Sequence, residues 1–269
     1  MKKKKLLSLA LVLAMALSMV TACGKSTSGT QQSTTTEAVS TSSAETTQST
    51  TEVTTQTESV SDIAAVDENK AAADQLFVDL TGTYEELWPV ILDDKYTSVW
   101  LENCKALVGE ENAQAAFDKL SSMVTGEVYG EEAVKAYANG GGAYDCSFTE
   151  GVVTLEFDGK NSTIKGYAAD GSEIFSHTYH YVGMEEIRGL YEYESDDADS
   201  GEFTYFCIAP DTSDTTYHIE LRYGSDLTLL GQYAEGKYAY WLGSGISTSY
   251  DETMIEKCIE LFCNENLSE

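Results

Sequence analysis

Between residues 152 and 223 the hydrophobic pattern runs with a period of two and is cut by turn dipeptides, which constrains the fold more than any other feature of the chain. Residues 152–157 alternate, Asp158-Gly159 follows, 163–167 reads as a strand, and Asp170-Gly171 makes the next turn. Further strands are expected over 173–182, 187–194, 203–208 and 216–223, with an acidic loop over 196–201. A period of two sends neighbouring side chains to opposite faces, and Asp-Gly supplies the backbone freedom of a tight hairpin. Consecutive strands should therefore pair antiparallel. A long meander of this kind curls or closes, because closure removes unpaired edges.

Helical spacing flanks the strands. It predicts helices over 83–92, 97–107, 112–124 and 131–137, with Pro89 tolerable only early in a turn or at a kink. Residues 62–80 read as a lead-in segment that becomes ordered near its end. A last helix over 251–262 places Met254, Ile255, Cys258, Ile259 and Phe262 on one side, with Ser249 as a cap. The fold class is mainly β with flanking α-helices: an antiparallel barrel preceded by short helices and closed by a C-terminal helix.

The first residues carry an address. Lys2 to Lys5 precede an apolar run over 6–20, and small residues lead to Cys23. The run is too short to span a bilayer, and its flanks are those of a lipoprotein signal. Cleavage after residue 22 would leave Cys23 as a lipidated N-terminus. Residues 23–61 are rich in Ser and Thr and lack aromatic residues, the composition of a disordered tether. One domain is expected over 62–269, held by its lipid on the extracytoplasmic side of the cell membrane. The chain carries 16 Lys and Arg against 45 Asp and Glu, net −29, and losing the four signal lysines would take it to −33. Such a surface excludes nucleic acid as a partner and attracts cations diffusely.

Cys104, Cys146, Cys207, Cys258 and Cys263 remain besides Cys23. No two form C-x-x-C, so neither a zinc ribbon nor a thioredoxin-type site is indicated. Cys258 and Cys263 are awkwardly spaced for a bond to each other within one helix, and buried free thiols are the default. Hydrolase, P-loop and zincin motifs are lacking, and the expectation is that the protein is not an enzyme. Residues 196–201 read as a solvated hairpin tip in preference to a calcium loop. His177 and His180, three apart on a strand, point to opposite faces. His218 has richer company: Thr216, His218, Glu220 and Arg222 share one predicted strand face, either a solvent face or a polar barrel mouth.

At this point the chain resembles a known family. Gly82-Thr83-Tyr84-Glu85-Glu86-Leu87-Trp88-Pro89 resembles the opening of the ZinT (YodA) family, which also forms the C-terminal domain of AdcA-type zinc lipoproteins. Cys207-Ile208-Ala209-Pro210 followed by Tyr217-His218-Ile219 is similar to its metal region. Leu229-Leu230 through Tyr238-Ala239-Tyr240-Trp241 to the last helix is similar to its end. The resemblance covers roughly residues 80–262. It implies a lipocalin-like (calycin) barrel that binds zinc or another divalent metal outside the cytoplasm and supports a metal ABC importer. In the family three histidines hold the zinc. Here His218 matches one, Thr216 and Phe206 stand at the other two positions, and the histidine-rich loop is absent. Cys207, brought round by a bulge, and Glu220 are the candidate replacement ligands. The alternative is a diverged barrel without metal that binds a small molecule or serves as a cell-surface interaction module.

Overall fold

The computed structural model describes residues 60–138, 140, 142–210 and 216–268. The lipoprotein signal, Cys23 and the tether up to residue 59 lie outside the described residues. Eight strands form a closed barrel in chain order: β1 Gly82–Glu86, β2 Thr154–Asp158, β3 Thr163–Tyr167, β4 Glu173–Met184, β5 Tyr191–Ser195, β6 Tyr205–Ile208, β7 Ile219–Gly224 and β8 Gly243–Ser247. Every neighbouring pair is antiparallel, and β1 closes onto β8 with Tyr84 opposite Ser247 and Glu86 opposite Gly245. With its flanking helices and C-terminal helix, this is the architecture of a calycin-like barrel.

The two Asp-Gly turns work differently. Gly171 takes a left-handed φ of +81°, the use expected of a hairpin glycine. Gly159 sits under the first helix: a Cβ there would lie 2.4 Å from the Cα of Val78. Asp158 shapes that turn by accepting from the backbone N–H groups of Lys160 and Asn161 at 3.1 and 3.2 Å.

Alternation fills the lumen with rings. Phe157, Tyr179, Tyr193, Phe206 and Tyr223 are all buried. Phe206 lies 5.2 Å from Tyr179 and 5.0 Å from Tyr223, whose other side meets Trp241 edge-on at 5.0 Å. Helix α1 (Val60–Asp79) ends in the barrel's core, where Ala73, Leu76, Phe77 and the following Leu80 are buried. Phe77 meets Phe157 and Tyr193 edge-on at 5.9 and 5.2 Å, and the Tyr193 hydroxyl donates to the Ala73 carbonyl at 2.9 Å. The segment expected as a lead-in is helix α1, rich in alanine and carrying the i,i+4 pair Lys70–Asp74 at 2.7 Å, and its described core contacts come near its end, from Ala73 onward.

A second core lies outside the barrel wall. It is built by α2 (Leu87–Ile91), α3 (Thr97–Val108), α4 (Ala113–Val124) and the C-terminal helix. The single helix expected over 83–92 is instead strand β1 followed by α2, because residues 82–86 pair with strands on both sides. Pro89 falls in the first turn of α2, where its missing N–H costs little. Trp88 and Trp100 pack on Phe262 at 4.9 and 5.8 Å, and the Trp100 indole donates to the Ile91 carbonyl at 2.7 Å. Two short helices, α5 (Gly130–Ala136) and α6 (Leu227–Leu230), lie between these elements. The C-terminal helix, α7, spans Glu252–Leu267. Its cap is Asp251, whose carboxylate accepts from Met254 N–H at 3.0 Å, and not Ser249 as the sequence suggested. Among the described residues no helix is long and apolar enough to cross a membrane.

Candidate functional site

The polar residues around β7 do not form the face expected of them. The strand begins at Ile219, one residue after His218, and Tyr217 just before it has a left-handed φ of +60°. Thr216 therefore stands before the strand and meets His218 through its backbone: its carbonyl accepts from His218 Nδ1 at 2.7 Å. With Nδ1 so engaged, Nε2 is the nitrogen turned toward other groups. It lies 3.8 Å from Glu220 Oε1, and Cys258 of α7 stands close enough to the same imidazole to help raise its pKa. The side chains of His218 and Glu220 are only 15% and 18% exposed.

Burial alone would lower the pKa of His218. Hydrogen bonds to Cys258 and Glu220, and their charges, outweigh it and hold the imidazole well above its ordinary value. The unit is thus an imidazole with a raised proton affinity, set beside Glu220 and Cys258 at the junction of barrel wall and C-terminal helix. A cleft of about 330 Å³ is lined by Trp88, Pro89, Leu92, Asp145 and Cys146 among others; His218, Glu220 and Cys258 are not in its lining. Burial pushes the Cys146 thiol up, and the charge of Glu220 adds to the rise.

Further along β7, Arg222 is completely buried, so this is not a solvent face. The guanidinium donates to the carbonyls of Leu230 and Tyr238, and to that of Gln232 at 3.3 Å. It sits 4.4 Å from the centre of the Tyr233 ring. Arg222 thereby pins the segment from 227 to 241 against the barrel wall.

Cys207 belongs to that neighbourhood. It stands opposite Arg222 on β7 and Glu192 on β5, and the register of β6 runs unbroken from Tyr205 to Ile208. The structure has no bulge that would carry Cys207 toward His218. Its thiol is 1% exposed, and burial pushes its pKa up. Phe206 points into the lumen, whereas the partners of His218 lie on the outer wall. His177 and His180 face Asp197 and Asp196 at 3.0 and 2.7 Å, which ties the acidic loop to β4.

Of the residues singled out from sequence, the structure brings His218 and Glu220 together and leaves Cys207 apart. It adds Cys258. That residue comes from an element 40 positions later in the chain, and no local spacing could have signalled it. Imidazole, carboxylate and thiolate are all zinc donors, and the Nδ1–H···O=C bond is the usual orienting contact of a histidine ligand. The spacing is loose: bonds of about 2.0 Å in a tetrahedral site would place N and O donors about 3.3 Å apart. Among the described residues no three His, Cys, Asp or Glu side chains already stand as a metal-ligand set.

The barrel is similar in structure to a ZinT-like domain. The Zn(II)-bound ZinT-like domain of AdcA from Streptococcus pneumoniae superposes with a TM-score of 0.43 at 16% identity, over 69% of this chain and 89% of that one. Zn(II)-bound AdcA from the same organism gives a TM-score of 0.40 at 17% identity, over 70% of this chain and 35% of that longer one. No protein-family model and no curated protein matches the chain. What it binds has to follow from its own residues.

Proposed function

We propose that this is a membrane-anchored extracytoplasmic binding protein that takes a divalent cation of the zinc class at His218, Glu220 and Cys258. One observation carries the reading: His218, oriented through Nδ1 by the Thr216 carbonyl, turns Nε2 toward the Glu220 carboxylate, with Cys258 of α7 acting on the same imidazole. A cation would displace the protons on His218 Nε2 and on the Cys258 sulfur, and would draw Nε2 and Glu220 Oε1 closer than their present 3.8 Å. A role in delivering metal to an importer belongs to the same proposal.

Zinc titration of the reduced mature chain by calorimetry tests it. One saturable site, weakened at least tenfold in His218→Ala and in Cys258→Ala, is expected. Weak, multi-site and salt-sensitive uptake alone would reduce the effect to diffuse attraction by acidic surface. Anchoring has its own test: Cys23→Ala should move the protein from membranes to the soluble fraction, and firm attachment of the variant would refute the lipid anchor.

A second reading, a metal-free interaction module, is favoured by a different observation. Val182, Met184 and Ile187 are exposed together at the β4–β5 turn, Ile187 by 71%. The ring-filled lumen counts against a small apolar ligand inside the barrel.

A further inference from the structure

Two thiols distant in sequence meet inside the outer core. Cys104 on α3 and Cys263 on α7 are both completely buried, with their sulfurs 4.0 Å apart. The helices are held in place around them: Trp100, one turn before Cys104, packs edge-on against Phe262, the residue beside Cys263, at 5.8 Å. A disulfide has a sulfur separation of about 2.05 Å, so the two sulfurs have about 2 Å to close. The other described thiols have other neighbours. Cys146 contacts the Tyr144 carbonyl, Cys207 lies between Glu192 and Arg222, and Cys258 meets His218.

We propose that Cys104 and Cys263 form a disulfide that clamps the C-terminal helix to α3 when the chain folds in the presence of a disulfide oxidant. The thiolate of one attacks a sulfur of the oxidant and releases one oxidant thiol; the second cysteine thiolate then attacks the mixed disulfide and releases the other. The two cysteines lose two protons and two electrons, and the oxidant disulfide becomes two thiols. In the finished fold, burial pushes both thiols up and shields them, so the bond forms before α7 seats. An extracytoplasmic location would supply such oxidants, but the chemistry does not depend on it.

The test refolds the full reduced chain in a glutathione redox buffer, quenches with acid, alkylates free thiols and maps the peptides. The expected map joins Cys104 to Cys263 and finds Cys146, Cys207 and Cys258 alkylated. A ring of this size should raise the melting temperature by about 5–15 °C, a gain erased by dithiothreitol. Cys104→Ala/Cys263→Ala should melt at the same temperature with and without dithiothreitol, which separates the bond from any packing cost of the substitutions. Alkylation of both Cys104 and Cys263 after oxidative refolding, or linkage of either to another cysteine, would overturn the proposal.

Discussion

Replacing Arg222 with methionine should release the segment from 227 to 241 while leaving the barrel closed. The guanidinium donates to three carbonyls, those of Leu230, Gln232 and Tyr238. Hydrogen bonds to a charged group contribute about 1.5–3 kcal/mol each. The gross loss of about 5–9 kcal/mol is offset in part because a buried cation no longer has to be desolvated, a cost of several kcal/mol. Methionine keeps most of the side-chain volume, so little cavity penalty is added. The balance is a destabilisation of about 2–4 kcal/mol, or roughly 5–15 °C in melting temperature for a domain of this size. Urea melts followed by tryptophan fluorescence would read the global term, and amide exchange across residues 227–241 the local one. Arg222→Lys should fall between, since one ammonium cannot span three carbonyls. A loss below about 1 kcal/mol for Arg222→Met, with unchanged exchange in the segment, would refute the pinning role.

Phe77→Ala empties the end of the lumen where α1 enters and should cost about 3–5 kcal/mol by urea denaturation; a cost under 1 kcal/mol would mean that α1 is not integral to the barrel. His218 makes stability pH-dependent in a defined direction. Its folded pKa lies above the ordinary 6.5, so its stabilising contribution is full below about pH 6.5 and is lost as pH rises through the folded value. His218→Gln should flatten that fall in a series of melts from pH 6 upward, and an unchanged slope would assign it to other groups.

The barrel was legible where side chains alternate. Strands β2 to β5 alternate, with Leu155 and Phe157, Phe175 and Tyr179, and Tyr191 and Tyr193 at even spacing, and are punctuated by Asp-Gly or acidic turns, so their existence and order could be read directly. β1 and β8 could not. β1 runs straight into α2, and Tyr84 with Leu87 and Trp88 mimics a helical period. β8, Gly243-Ser244-Gly245-Ile246-Ser247, has almost no side chain to alternate; a Cβ at Gly245 would lie 3.0 Å from the Phe148 ring. The strand expected over 187–194 begins only at Tyr191, because Glu185 folds the preceding residues into a turn by accepting from Ile187 and Arg188 N–H groups at 2.7 Å each. At the site, the face shared by Glu220 and Arg222 was readable from spacing, but what covers it was not. The segment from 227 to 241 and helix α7 turn an apparently wet face into a dry one, and only the tertiary fold brings Cys258 to His218.

The seam between β1 and β8 has a kinetic consequence. Tyr84 finds its partner Ser247 only after more than 160 intervening residues have been made. Until then β1 can pair on one side alone, with β2, and its other edge offers free backbone groups to any extended segment nearby. Contacts this distant in sequence form slowly, because loop closure must precede any stabilisation from the pairing. A folding chain therefore passes through an interval in which one edge of β1 stands unpaired, guarded by its shortness and by Glu85 and Glu86, and slippage of the Gly-rich β8 would prolong that interval.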